Sequence, residues 1–495
     1  MTEAPDTSSP LLASIDLGSN SFRLEVGQII HGRYKRVDYL KETVRLGGGL
    51  DERGFLTEGA MQRGLDTLVR LAQRLAGFAP ASVRAVATQT LREARNRDEF
   101  LARARKALGH PVEVISGREE ARLIYAGVAH LQPSDQPRLV IDIGGRSTEM
   151  ILGHGRLPTL AESFQVGSVA LSMRYFPDGK FTRAAFIAAQ VAAGAELEEA
   201  LALFRPSMWS EALGSSGTVG AVSQILSASG ITDGRLTPAA LAWCIERCLE
   251  AGSAGALRLP GLRDDRRPVV GGGVAILYTL LANFGISELM AAKGALRQGV
   301  IVELHDRLFW GEADLRDSSV VDLQQRFAAD VQQASQVRTV ALARHAALHD
   351  DEPTRRELGW ACDLHEIGRQ VSHHDYHRHG AYIVGHADAA GFSQSEQRRI
   401  GELVLGQRGG LRKVEASLSD TAFALELLCL RLAVIECHAR DAVDARALQV
   451  RRVDGGVRLA WRAGWDDTHP RTLHLLRQEA EVWGKSGVLA LQLPV

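Results

Sequence analysis

Ile15-Asp16-Leu17-Gly18-Ser19-Asn20-Ser21 and Ile141-Asp142-Ile143-Gly144-Gly145-Arg146-Ser147-Thr148-Glu149 share one pattern. Each follows an apolar run, Leu11 to Ile15 and Leu139 to Ile141. Each then presents an Asp, a glycine-rich turn and a hydroxyl, and passes into a second run with strand character. The pattern predicts a strand–turn–strand whose tip exposes backbone N–H groups. Glycine lets a phosphate come close to the backbone, and successive N–H groups form an anion-binding nest. An Asp at the strand end can hold a divalent cation, directly or through water. One such turn reads equally well as an ordinary hairpin. Two in one chain point to a duplicated α/β half-domain, each half supplying a phosphate loop.

The chain has 495 residues, enough for several domains. The net charge of -1 gives no global attraction to a polyanion, so no nucleic-acid partner is expected. Any anion site must come from local clusters of Arg and backbone N–H groups. The five cysteines include no Cys-x-x-Cys pair and read as reduced core thiols of a cytosolic protein. Residues 1–10 lack the basic start and apolar stretch of a secretory signal. The most apolar helix, Thr421 to Glu436, is interrupted by Glu426 and Arg431 and does not read as membrane-spanning. A cytoplasmic location is expected, with peripheral membrane contact left open.

Outward from the first loop, three strands are predicted at Leu11–Leu17, Phe22–Ile30 and Tyr34–Leu40, and Gly47–Gly49 is read as a flexible loop. Thr57 is the expected N-cap of a helix to about Ala76. A strand at Val83–Ala87 runs into Thr88-Gln89-Thr90-Leu91-Arg92, and Ser116 opens a helix to about Ala129. The second half repeats the plan after a boundary near Pro133–Pro137. It adds glycine turns at Gly214–Thr218 and Val269–Gly273, each expected to open a helix. From Asp317 to about His438 helical patterns dominate, and histidines concentrate between His365 and His386. The tail reads as a hairpin at Leu448–Trp461, a helix near Thr472–Trp483 and a last strand. Four segments are expected: 1–132, 133–310, 311–443 and 444–495.

Several motifs in register now bring a family into view. They are Asp16–Ser21, Ser116-Gly117-Arg118-Glu119-Glu120-Ala121-Arg122, Asp142–Gly145, Ser147-Thr148-Glu149 and Gly214–Thr218. Together they resemble the exopolyphosphatase / guanosine pentaphosphate phosphohydrolase family over about the first 310 residues. Leu364–Gly368 and His377–Tyr382 resemble the C-terminal half of its long form. The resemblance implies an actin-like ATPase (ribonuclease H-like) fold of duplicated half-domains, an all-α HD-like domain and a small α+β terminal domain. It also implies hydrolysis of a terminal phosphoanhydride with a divalent cation, usually Mg2+, and a homodimer.

By that resemblance Glu120 activates the attacking water and Arg92 neutralises phosphate. On the residues alone, Glu120 is equally an ordinary acidic residue of a first helical turn, and Arg92 a solvated helix-start arginine. Asp142, Glu149 and Asp16 are the candidates for the cation. Gly18, Ser19, Asn20, Ser21, Gly144, Gly145, Arg146 and Ser147 would surround phosphate, with Ser216 and Gly217 at a more distant one. Arg266 and Arg267 read either as a track for a long polyanion or as surface charge. The family usually has a third glycine where Arg146 stands, and Arg146 is expected to supply cationic charge missing at Gln165. The His365-Glu366 pair departs from an HD metal site and is read as structural, with the His373–His379 cluster facing polyanion or a partner subunit. The first expectation is an exopolyphosphatase acting on inorganic polyphosphate. The alternative is a guanosine pentaphosphate (pppGpp) phosphohydrolase, or a sensor that binds these anions without turnover.

Overall fold

Leu12–Leu17 (β1) is buried along its whole length, because helices cover both faces of its sheet. Ser21–Ile30 (β2) and Arg33–Thr43 (β3) follow it antiparallel, while Val83–Ala87 (β4) and Val112–Val114 (β5) run parallel to it. The spatial order is β3-β2-β1-β4-β5. The second half repeats this with Arg138–Ile143 (β6), Thr148–His154 (β7), Leu157–Phe164 (β8), Glu211–Gly214 (β9) and Met290–Ala291 (β10), in the order β10-β9-β6-β7-β8. Its antiparallel and parallel pairings match strand for strand. The duplication inferred from the two loops is thus a duplication of sheet topology. The computed structural model describes residues 10–309, 314–349 and 351–494. Two compact units fall within Met1–Glu312 and Ala313–Val495.

Within the first unit the halves are joined by two helices, Gly117–Leu131 and Leu296–Phe309. They cross so closely that only glycine fits. A Cβ on Gly299 would stand 1.8 Å from the Leu123 carbonyl oxygen, and one on Gly127 would stand 2.3 Å from that of Ala295. Around the crossing, Leu12, Val86, Ile124, Val128, Val140, Ile151, Leu213, Val300 and Ile301 form an apolar cluster that draws on both sheets. Beside it lies a buried ionic network. Arg84 on β4 meets Glu113 at 3.0 Å and Glu303 at 2.8 Å, and Arg122 meets Glu119 at 2.7 Å and also Glu303. Burial opposes charge on Glu303, yet Arg122, Arg84 and Arg307 hold its carboxyl far below the usual range.

The second unit is helical from Leu315 to Glu436, with a core around Trp360, Phe423 and Trp483. Leu448–Val453 (β11) and Gly456–Trp461 (β12) form the expected hairpin; Ala490–Gln492 (β13) joins β12 in parallel. His365 Nδ1 lies 2.7 Å from the Cys362 carbonyl oxygen, and Glu366 accepts from Arg369 at 2.8 Å and Arg440 at 2.7 Å. Among the described residues no three His, Cys, Asp or Glu side chains group closely enough to hold a metal ion, and no helix is long and apolar enough to cross a membrane.

Several local expectations change. Gly47–Gly49 is a 3-10 turn with Gly47 and Gly49 buried, not a flexible loop: a Cβ on Gly49 would meet Ala60 at 2.1 Å. Gly271, Gly272 and Gly273 form no turn; they lie inside the buried helix Val270–Asn283, where Gly272 packs against the Ser168 carbonyl. Thr57 stands at its helix start without a side-chain capping bond. The two-residue β10 and the helix Ser168–Tyr175 carry too little periodicity to be read from sequence.

The helix crossing predicts an asymmetry between glycines. Gly299→Ala should destabilise the protein by about 3 kcal/mol or more through overpacking. Gly220→Ala, on an exposed helical position with nothing within 4 Å of its Cβ, should stabilise by about 0.5–1 kcal/mol. Urea unfolding of the two variants against wild type measures both.

Candidate active site

The turns after β1 and β6 face a cleft of about 430 Å³. Their carbonyls are held from behind. The Ser19 carbonyl accepts from Gly47 N at 2.8 Å and that of Asn20 from Arg45 N at 2.9 Å; the carbonyls of Gly144 and Gly145 accept from Ser168 N at 3.0 Å and Val169 N at 2.9 Å. In a trans peptide the next N–H points the opposite way, so those of Asn20, Gly145 and Arg146 are turned off the supporting segments. The two turns also touch each other, since a Cβ on Gly145 would lie 3.3 Å from Ser19 Cβ. Gly167, which no motif singles out, lies against the Gly145–Arg146 peptide: a Cβ there would come 2.3 Å from Arg146 N and 2.4 Å from Gly145 C. Two expected donors are corrected. Gly144 spends its N–H on the Ser147 carbonyl at 2.9 Å. The Arg146 side chain pairs with Glu93 at 2.6 Å at the edge of the cleft, so its charge is already matched and is not free to make up for Gln165.

Glu120 sits in the first turn of the helix that Ser116 caps by accepting from Glu119 N at 3.1 Å. Its neighbour Glu119 turns inward to Arg122, whereas Glu120 lines the cleft. Arg92 donates from Nη1 to Glu120 Oε2 at 2.7 Å and to the Ile115 carbonyl at 3.0 Å, and from Nε and Nη2 to Gln89 Oε1 at 2.9 and 2.7 Å. Arg92 is therefore neither a solvated helix-start residue nor aimed at phosphate: it grips the carboxylate of Glu120. Asp142 accepts from the Ser215 hydroxyl, and Glu149 accepts from Ser163 Oγ at 2.8 Å. Asp16 faces Arg23 at 3.3 Å and Arg297 at 3.4 Å, so its charge is already matched, unlike that of the other candidates for the cation.

Burial pushes the Glu120 carboxyl up to about 7; Arg92 pulls it down, and Asp142 and Asp16 push it further up. Burial likewise raises Glu149 well above the carboxylate range, with Glu120 and Asp142 adding to it, and raises Asp142 against the pull of Ser215 and Arg23. Three buried acids thus crowd one part of the site, where burial and mutual repulsion outweigh the nearby arginines.

Opposite these acids, the Ser216 hydroxyl accepts from Thr218 N at 3.2 Å and Val219 N at 3.1 Å, opening the helix Gly217–Ala228 onto the cleft. Arg266 lies over this helix start; a Cβ on Gly217 would meet its Nη2 at 2.5 Å. Among the described residues Arg266 makes no ion pair and lines the cleft, while Arg267 pairs with Asp264 at 2.6 Å outside it, which separates the two neighbours. Arg23, Lys41, Lys293 and Arg297 also line the cleft and were missed from sequence. Arg23, two residues beyond Ser21 on β2, had a readable signal in strand alternation.

A family described as the Ppx/GppA phosphatase family matches residues 26–308, and domain III of that phosphatase matches 315–480. A guanosine-5'-triphosphate,3'-diphosphate pyrophosphatase of Pseudoalteromonas translucida (strain TAC 125) is 36% identical over 485 residues, covering 96% of this chain and 97% of that protein. An exopolyphosphatase from Cytophaga hutchinsonii ATCC 33406 superimposes with a TM-score of 0.54 at 26% identity, over 60% of this chain and 98% of its own. The Aquifex aeolicus PPX-GPPA enzyme does so with a TM-score of 0.51 at 27% identity, over 59% and 99%. With its duplicated actin-like sheets and paired glycine-rich turns, this chain belongs to the Ppx/GppA phosphatase family, hydrolases acting on phosphoanhydride bonds.

Proposed function

We propose that the chain is a pppGpp 5′-phosphohydrolase. The observation that carries this reading is similarity along nearly the whole chain to a pyrophosphatase for that nucleotide, at 36% identity. It reverses the order of the two activities expected from sequence, where inorganic polyphosphate came first. Polyphosphate stays as a second reading because the cations Arg23, Lys41, Arg266 and Lys293 line one cleft.

In this reading the N–H groups of Asn20, Gly145 and Arg146 hold the terminal phosphoryl group. Arg266 and the start of the helix Gly217–Ala228 hold the next phosphate. Glu120, gripped by Arg92 through one oxygen, takes a proton from water as a bond forms between the water oxygen and the terminal phosphorus. The phosphoanhydride bond breaks on the opposite side, and the leaving phosphate carries away the electron pair. Glu120 at about pKa 7 is matched to this task near neutrality. Asp142 and Glu149, buried acids that form no ion pair among the described residues, would hold a hard divalent cation such as Mg2+ only together with phosphate oxygens and water, since no three side chains group to hold one alone. Bound there, a cation would neutralise charge on the phosphate oxygens. For the second unit we keep the HD-like relationship as one of ancestry, because His365 and Glu366 serve their own backbone and arginine neighbours. The five buried free thiols support a cytoplasmic location.

Orthophosphate release from pppGpp and from long-chain polyphosphate, with Mg2+, tests the reading. A higher kcat/KM on pppGpp is expected, and chelation by EDTA should abolish release; a clear preference for polyphosphate would sink the nucleotide assignment. Glu120→Gln should lower kcat by about 100-fold or more. Arg266→Ala should instead raise KM by about 10- to 100-fold, the worth of a charge-assisted contact, with kcat little changed.

A further inference from the structure

The Arg92–Glu120 bond is the last of an unbroken line of hydrogen bonds whose other members the hydrolysis above does not use. At the far end, Arg146 donates from Nε at 3.0 Å and Nη2 at 2.6 Å to Glu93 Oε2. The other carboxylate oxygen of Glu93 accepts from Gln89 Nε2 at 2.7 Å. The amide oxygen of Gln89 accepts both Nε and Nη2 of Arg92, and Arg92 Nη1 reaches Glu120 Oε2 at 2.7 Å. Two opposite-charge pairs, Arg146 with Glu93 and Arg92 with Glu120, are thus linked by one amide.

The order of donors and acceptors leaves each member one arrangement. A glutamine amide has a donor end and an acceptor end. Glu93 takes only donors and Arg92 offers only donors, so together they fix which way Gln89 lies. The fixed amide oxygen then holds two of the five N–H groups of Arg92 in the plane of its fork, and a third reaches Glu120. All three inner residues belong to the helix Gln89–Glu93, five residues long and too short to hold its shape by backbone bonds alone. Its tie to the other half of the unit is Arg146, which belongs to the phosphate turn after β6; a Cβ on Gly47 would touch the Arg146 Cδ at 3.2 Å.

We infer that Glu93, anchored by Arg146, is a positioning residue for hydrolysis: through Gln89 it sets the Arg92 fork, and through that fork the orientation of the Glu120 carboxylate toward water. The inference rests on Glu120 as the proton acceptor. It gives Arg146 a role that differs from phosphate binding, as a strut between the second phosphate turn and the helix that aims the base. A displacement of about 1 Å at such a base costs up to about 100-fold in rate.

The test combines turnover with a measurement that needs no substrate. Glu93→Gln keeps the size of the side chain and removes the charge that Arg146 requires. It should lower kcat for orthophosphate release by about 10-fold with KM within about twofold, and Glu93→Asp should recover part of the loss. An unchanged kcat, or a change in KM alone, overturns the inference. Glu93 and Glu120 share no hydrogen bond or ion pair, so the urea midpoints of Glu93→Gln, Glu120→Gln and the double variant form a cycle. Midpoint losses that fail to add support the relay; strict additivity overturns it. If wild type releases phosphate from neither pppGpp nor polyphosphate, the proposed function falls, while the cycle still decides whether Glu93 fixes Glu120.

Discussion

The crossing of Gly117–Leu131 over Leu296–Phe309 is the constraint on which the first unit depends. Glycine at 127 and 299 brings the two backbones into direct contact, and the apolar cluster around them draws on both sheets. The chemistry follows from the same contact. Glu120 lies in the first turn of one of these helices and Arg297 in the first turn of the other. Bringing the helices together therefore delivers a carboxylate and the arginine that faces Asp16 to one cleft. Packing and the charge of the cleft are not separable here, because a side chain at the crossing would move both groups at once.

Two buried acidic clusters lie near that crossing, and they resolve the same cost in opposite ways. Around Glu303, three arginines outweigh desolvation and the carboxyl stays ionised. Around Glu120, Asp142 and Glu149, burial wins and the acids repel one another. The first cluster is closed and structural. The second is left unbalanced, the condition under which a carboxylate can take a proton near neutrality and a cation has a reason to bind.

What the sequence made legible was what two turns repeat. Asp, glycine and hydroxyl recur at one place in two strand patterns, and that suffices for the duplicated sheets and the two loops; Glu120 repeats nowhere in the chain and was singled out by family resemblance alone. Sequence reading failed where a residue's meaning depends on a distant partner. Arg146 looked like a phosphate ligand because it stands in a glycine-rich turn, but Glu93, 53 positions earlier, claims its side chain. Arg92 was likewise read as a phosphate ligand, whereas its side chain bonds Glu120, 28 positions later. Gly167 and Gly272 matter through close backbone approach, which leaves no periodic trace. The run of glycines at 271–273 resembled a turn only because sequence does not distinguish a glycine that bends the chain from one that admits a neighbour.

At the rim of the cleft Lys41 on β3 meets Asp265 at 3.1 Å, next in sequence to Arg266. The pair is partly buried and joins the first half of the unit to the second. Arg266 and Arg23 crowd Lys41, and burial already weakens its hold on a proton. Dissolved salt consequently acts twice at this entrance: it screens the pull of the cleft on an incoming anion, and it loosens the ion pair that keeps the two walls in register. The dependence of anion capture on ionic strength is then a composite of attraction and wall mechanics, and its slope does not count phosphate contacts.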